Sequence, residues 1–309
     1  MRFLWLCLAA VVSALLLASH GYARDYKGLG RLLTNDVFAT IVDDRWRTGS
    51  GVLSWVWARG DLTVAPGGTP PRFGDIVEFR FRGEVISPEN IVTPAAGDRP
   101  YASALSFGVH NHFTHRGYDV SVGADFVVIG PQTGLQDLQA AIHNIIDVPE
   151  ASALTLANQI PNQIHASVFF EASRPVPLSE TVMFRPFVEL QGGVETLARV
   201  GGDFHFGLLG RNERMLRDVT TGHRYRVGQP ETTGWAAVLG ADVAYVTDSL
   251  FLPPSSGVTL TNTRSRVRAG VHWQNEKAGV FYGLTWLSKE FEAQTEGQLV
   301  GSFRLDFRF

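Results

Sequence analysis

From Leu299 to Phe309 the chain reads L-V-G-S-F-R-L-D-F-R-F. Leu299, Gly301, Phe303, Leu305, Phe307 and Phe309 share one parity, and Val300, Ser302, Arg304, Asp306 and Arg308 share the other. Successive side chains of a strand point to opposite faces, so this is a strand with an apolar face and a charged face. A soluble sheet can use that pattern. A strand ending on a terminal Phe, in a chain that opens with a secretion signal, points instead to a barrel in a bacterial outer membrane, with lipid on the apolar parity and water on the polar one. Alternation of this kind predicts about twelve strands, near 28–38, 49–58, 75–86, 101–113, 118–129, 163–173, 182–193, 197–208, 233–246, 264–273, 279–291 and 298–309. In the tenth, Arg264, Arg266, Arg268 and His272 fall opposite Val267, Ala269, Val271 and Trp273. An arginine facing lipid costs about 2–4 kcal/mol near the midplane, so these must face the lumen.

The fold class predicted is all-β: a twelve-stranded antiparallel transmembrane β-barrel. With a periplasmic N-terminus, the connections at 39–48, 87–100, 130–162 and 247–263 become extracellular, and the short turns near 113–118, 173–182 and 274–279 periplasmic. The 209–232 connection breaks that asymmetry, being long on the periplasmic side. Within 130–162, Leu135, Leu138, Ile142 and Ile145 recur at helical spacing, which predicts a short helix in the third extracellular loop. Gly130-Pro131 and Pro149 bound it on either side.

Composition narrows the class. Arg2 followed by the apolar run Phe3 to Ala18 and by Gly21-Tyr22-Ala23 is expected to be a cleaved signal peptide over 1–23, leaving 24–309 as one barrel domain. The sole cysteine, Cys7, lies in that signal, so disulfide, thiolate-metal and cysteine-nucleophile chemistry are excluded from the mature chain. A net charge of −3 argues against nucleic acid as a partner. No protein partner is implied.

A bare barrel needs no polar cluster at its rim, yet this chain offers one. Asn35 and Asp36 close the first strand; Asp43, Asp44, Arg45 and Thr48 occupy the first loop and the start of the second strand; Asp98 and Arg99 close the second outer loop. Gln136, Gln139 and His143 share the polar side of the loop helix. A neutral His takes a proton from water near pH 7. Asp36 in an oxygen-rich site suits a hard cation, Ca²⁺ above all, which can polarise a carbonyl. Ester hydrolysis is the chemistry these groups support, and there is no Gly-x-Ser-x-Gly elbow for a serine route. Two other readings stay open: a non-catalytic barrel, either a narrow porin or a structural protein, and another outer-membrane lipid esterase or phospholipase.

Several segments resemble the lipid A 3′-O-deacylase family, the LpxR-type outer-membrane enzymes. They are Thr34-Asn35-Asp36, Asp44-Arg45-Trp46-Arg47-Thr48-Gly49, Gly97-Asp98-Arg99-Pro100-Tyr101-Ala102, Gly130-Pro131 with Gln136, Gln139 and His143, and Trp286-Leu287-Ser288-Lys289-Glu290-Phe291. The resemblance implies a twelve-stranded enzyme that removes the 3′ acyloxyacyl group of lipid A (lipopolysaccharide) in the outer membrane, with Ca²⁺ as cofactor. It implies His143 as general base, Asn35 and Asp36 as the first-strand pair of the active site, and Thr48 as the second-strand hydroxyl. Arg99 and Gln139 would bind substrate. Asp36 would ligate the metal; the acidic residue found six positions beyond the histidine in some members is Pro149 here, and Glu150 is the neighbour expected to replace it.

Overall fold

The structure is a computed structural model that describes residues 24–39, 44–59, 69–228 and 232–307. The signal segment, Asp43 and Phe309 lie outside the described residues. Twelve strands form the wall: β1 (Asp25–Asn35), β2 (Trp46–Ala58), β3 (Ile76–Ser87), β4 (Ala102–His115), β5 (Tyr118–Ile129), β6 (Gln163–Ser173), β7 (Val182–Gly192), β8 (Glu195–Gly207), β9 (Gly234–Ser249), β10 (Thr263–Gln274), β11 (Ala278–Leu287) and β12 (Gln298–Phe307). Each pairs antiparallel with the next, and β1 closes on β12 through Leu33↔Phe303, Thr34↔Ser302 and Asn35↔Gly301. The result is a closed barrel, as the alternation requires. The first strand starts three residues before its expected position and ends on Asn35, with Asp36 opening a 3₁₀ turn over Asp36–Phe38.

The parity holds around the wall. On β10, Val267 and Val271 are exposed outward, whereas Arg264, Arg266, Arg268 and His272 are buried inward. Arg266 and Arg268 pair there with Asp242 of β9, and Arg268 also with Asp203 of β8. Aromatic rings gather outside one end of the barrel. Tyr26 and Trp57, Trp57 and Phe79, and Trp235 and Trp273 lie 5.3, 5.3 and 6.1 Å apart, a girdle of the kind that marks a membrane interface.

The long 209–232 connection does not hang from that end. Its described part, residues 209–228, folds back into the lumen as a plug carrying the small hairpin Leu216–Arg217 with Arg224–Tyr225. Strand walls bristling with inward Arg, Asp and Glu need partners when buried, and the plug supplies them. Arg217 reaches Glu171 at 3.0 Å and Asp203 at 2.9 Å; Arg266 donates to the Val219 carbonyl at 2.6 Å; Ser54 and Tyr225 hydroxyls meet at 2.9 Å. Val227 bridges to Gly30 beside the seam, where Arg31 donates to the Leu305 carbonyl at 2.6 Å. Cavities of about 60 and 70 Å³ remain between plug and wall, room for a few waters. A plugged lumen is a poor porin.

At the opposite end, α1 (Leu135–Ile146) and the short α2 (Ala153–Ala157) occupy the connection between β5 and β6. The expected helix therefore forms, started by Gly134 at φ 69° and ended by Asp147 in the left-handed region at φ 58°.

Candidate active site

The site is built where β1 ends and β2 begins. Asn35 accepts the Val37 N–H at 2.9 Å and so caps the 3₁₀ turn. That turn is seated on β12: a Cβ on Gly301 would come within 2.5 Å of Phe38 Cβ and 2.7 Å of its backbone carbon. Glycine at 301 lets the turn lie flat against the wall. Asp36 is thereby buried, accepting N–H bonds from Val37 at 2.9 Å and Arg45 at 3.0 Å. Burial pushes its carboxyl up to about 7, against the pull of the Arg45 N–H, and the nearby Asp44 carboxylate adds to the rise.

β2 opens irregularly. Trp46 has φ 50°, a strained value for a bulky residue, and the register with β3 shifts between Trp46 and Gly49. Such a bulge re-aims side chains. Arg47 and Thr48, adjacent in sequence, are both buried instead of one pointing out. Arg47 enters the lumen and meets Glu84, Glu290 and Glu195 at 2.7, 2.8 and 3.2 Å. Thr48 turns to the site, where its hydroxyl donates to Asp44 Oδ1 and stands within reach of Asp36.

His143 arrives from α1, which lies across the outer wall of β2–β4. Its Nε2 is 2.7 Å from Asp44 Oδ2, and its Nδ1 is 2.7 Å from the Pro149 carbonyl oxygen. A carbonyl only accepts, so Nδ1 donates to Pro149, and Nε2 is the nitrogen that faces Asp44 and the groove. Tyr101 donates to Gln139 Oε1 at 2.8 Å and pins the helix one turn earlier. Between helix and wall runs a groove of about 720 Å³, open sideways on the outer surface. Asn35, Asp44, Thr48, Gln139 and His143 stand at its mouth, and Leu33, Leu53, Phe81, Leu105, Leu135 and Ile142 line the rest.

Thus Asn35, Thr48, Gln139 and His143, widely spaced in sequence, line one groove, with Asp36 directly behind Thr48. Two expected members stay outside it. Arg99 is buried on the inner side, where it donates to Glu290 at 2.5 Å, and does not line the groove. Glu150 is exposed and lines nothing here; its neighbour Pro149 meets His143 instead, through a backbone oxygen. Arg47, Arg99 and Glu290, each from a different quoted segment, converge on one buried ion network beneath the site. Asp44 is the partner that residue types alone did not single out; it stood in the rim cluster with no spacing to tie it to His143.

For a cation the donor set is hard oxygen: the Asp36 and Asp44 carboxylates, the Thr48 hydroxyl and the Asn35 amide oxygen. Two neighbouring carboxylates, one of them buried, suit a divalent ion. Among the described residues no group of three or more His, Cys, Asp or Glu could hold a metal, so such an ion would complete its shell with water and substrate oxygens.

A closed barrel with an apolar outer parity, a plugged polar lumen and a His–Asp pair in a groove on the outer face of the wall defines an outer-membrane barrel organised around a lateral site. The family model described as outer membrane protein LpxR matches residues 3–309, and the chain belongs to that family. Among solved structures it is similar to LpxR from Salmonella typhimurium, with a TM-score of 0.74, 18% identity, and coverage of 91% of this chain and 100% of that one. It is more distantly similar to the β domain of the Bordetella autotransporter BrkA (TM-score 0.46, 11% identity, covering 91% and 99%) and to the translocator domain of NalP from Neisseria meningitidis (0.42, 10%, covering 98% and 93%). No curated protein sequence matches the chain.

Proposed function

We propose that this protein is a lipid A 3′-O-deacylase, working from the outer leaflet with the loop end of the barrel extracellular. The observation that carries the reading is the His143–Asp44 pair at the mouth of an apolar groove that opens to the side, where a lipid ester at the headgroup boundary meets its acyl chains. A pore would need its polar groups in an open lumen, and this lumen is plugged.

With Nδ1–H held by Pro149, Nε2 takes a proton from a water that enters between it and Asp44 and stands over the ester carbon. The water oxygen adds to that carbon, the acyl C–O bond breaks, and the proton passes from Nε2 to the departing sugar oxygen. A free acyloxyacyl acid and a 3′-hydroxyl remain. Asp44 faces the imidazolium that forms and stabilises it. Thr48 holds Asp44 in place, and Asn35 is placed to orient water or carbonyl. Calcium, held by Asp36 with Asp44 and Thr48, would supply positive charge for the developing oxyanion.

The test is lipid A incubated with purified protein and calcium. Loss of one acyloxyacyl mass is expected, and His143→Ala, folded as wild type, should abolish it. A fully active His143→Ala variant removes this histidine from the chemistry. Fatty acids released from phospholipid with lipid A unchanged would favour a phospholipase.

A further inference from the structure

Beyond the catalytic groups, the wall under α1 carries an anomaly. Outward positions of a membrane barrel are filled by large apolar side chains. One row across this wall runs Phe303 (β12), Leu33 (β1), Gly51 (β2), Gly83 (β3) and Leu105 (β4), each paired with the next. Its two central positions have no side chain. The row above runs through Asn35, Gly49 and Val85, and the row below fills again with Leu53, Phe81 and Phe107.

Neither glycine is demanded by the protein itself. Gly51 and Gly83 are not among the glycines with positive φ. A Cβ on Gly51 would meet only Leu33 Cδ1, at 3.6 Å; one on Gly83 would meet Leu105 Cδ2 at 3.5 Å and Leu135 Cδ1 at 3.7 Å, all ordinary contacts. Glycine within a strand costs roughly 0.5–1 kcal/mol relative to alanine. The chain thus carries two unfavourable residues side by side, where backbone and neighbours would accept a Cβ. What they keep open is space, directly below His143 and beneath Leu135 and Ile142.

We infer that Gly51 and Gly83 form the bed of a slot for one fatty acyl chain of the substrate, and that Leu53 and Phe81 close it and so set the chain length the enzyme prefers. The inference rests on the deacylase reading. The occupant is argued from position: the slot is apolar, continuous with the lipid-facing belt, and has the His143–Asp44 pair at its mouth. From Gly49 to Leu53 the slot runs about 13 Å along the strand. Lipid is as apolar as the slot, so a chain gains little by transfer and selection must be steric.

The experiment compares lipid A species carrying long and short 3′ chains, using wild type, Gly51→Leu, Gly83→Leu and Leu53→Ala, each first shown to be folded by its heat-modifiable mobility on gels. Filling the bed should lower the ratio of long-chain to short-chain rates by about 10- to 100-fold, the range of typical overpacking penalties. Leu53→Ala should raise that ratio. If the leucine variants misfold, Gly51→Ala and Leu53→Ala still decide, in the same opposed directions. Ratios that stay at the wild-type value overturn the slot while leaving the hydrolase intact. A wild type that releases no acyl group from any species overturns the hydrolase reading itself, and the slot with it.

Discussion

Asp44→Asn isolates the contact on which the proposed chemistry turns. The change keeps shape and size but removes the negative charge 2.7 Å from His143 Nε2. Thr48 can still donate to the amide oxygen, so the loop need not move. A hydrogen bond to a charged group contributes about 1.5–3 kcal/mol. If Asp44 exerts that on the imidazolium formed in the transition state, and not on the resting enzyme, kcat/KM should fall about 10- to 150-fold. The assay follows lipid A deacylation by mass for Asp44→Asn against wild type. A loss under two-fold would refute the pairing.

Three further outcomes follow from the same geometry. Gly301→Ala should displace the Phe38 turn and with it Asp36, reducing deacylation about ten-fold while costing about 1–3 kcal/mol of stability in urea unfolding. Arg47→Ala removes the guanidinium that Glu84, Glu195 and Glu290 share, leaving them to Arg82, Arg264 and Arg99, and should cost up to about 3–5 kcal/mol by the same measurement, since it breaks a buried ion cluster from one side. Asp36, at about 7 in the fold against an ordinary 3.8, keeps its proton between those values when native and loses it when unfolded. Stability without calcium should therefore fall as pH rises from about 4 to about 7 and level off above. Calcium needs the carboxylate, so its apparent affinity, measured by titration calorimetry, should weaken about ten-fold per pH unit below 7 and hold steady above it.

The barrel was legible because its code is local. Parity at Arg264, Arg266 and Arg268 alone fixes which face is wet, and the strand positions follow within a few residues. The site was legible only in part. Asn35, Thr48 and His143 carry recognisable side chains in recognisable segments. Asp44 does not differ in type from Asp43, and no spacing in the sequence ties it to His143. The second partner of His143 is a backbone oxygen, which has no residue signature, whereas the nearby acid Glu150 has one. Arg99 was expected to bind substrate from the family resemblance. Its inward direction depends on Glu290, some 190 positions away. The 209–232 connection defied the loop-length rule since a plug and an external loop read alike until the lumen they must fill is known. Gly51 and Gly83 acquire meaning only once the β2–β3 register sets them side by side.

The most direct test of the account is hydrolysis of lipid A in ¹⁸O-labelled water with calcium, read by mass spectrometry of both products. Activation of water by His143 predicts one ¹⁸O in the released acyloxyacyl acid, none on the sugar hydroxyl, and no release by His143→Ala. Label on the sugar hydroxyl, or equal release from the alanine variant, would contradict it.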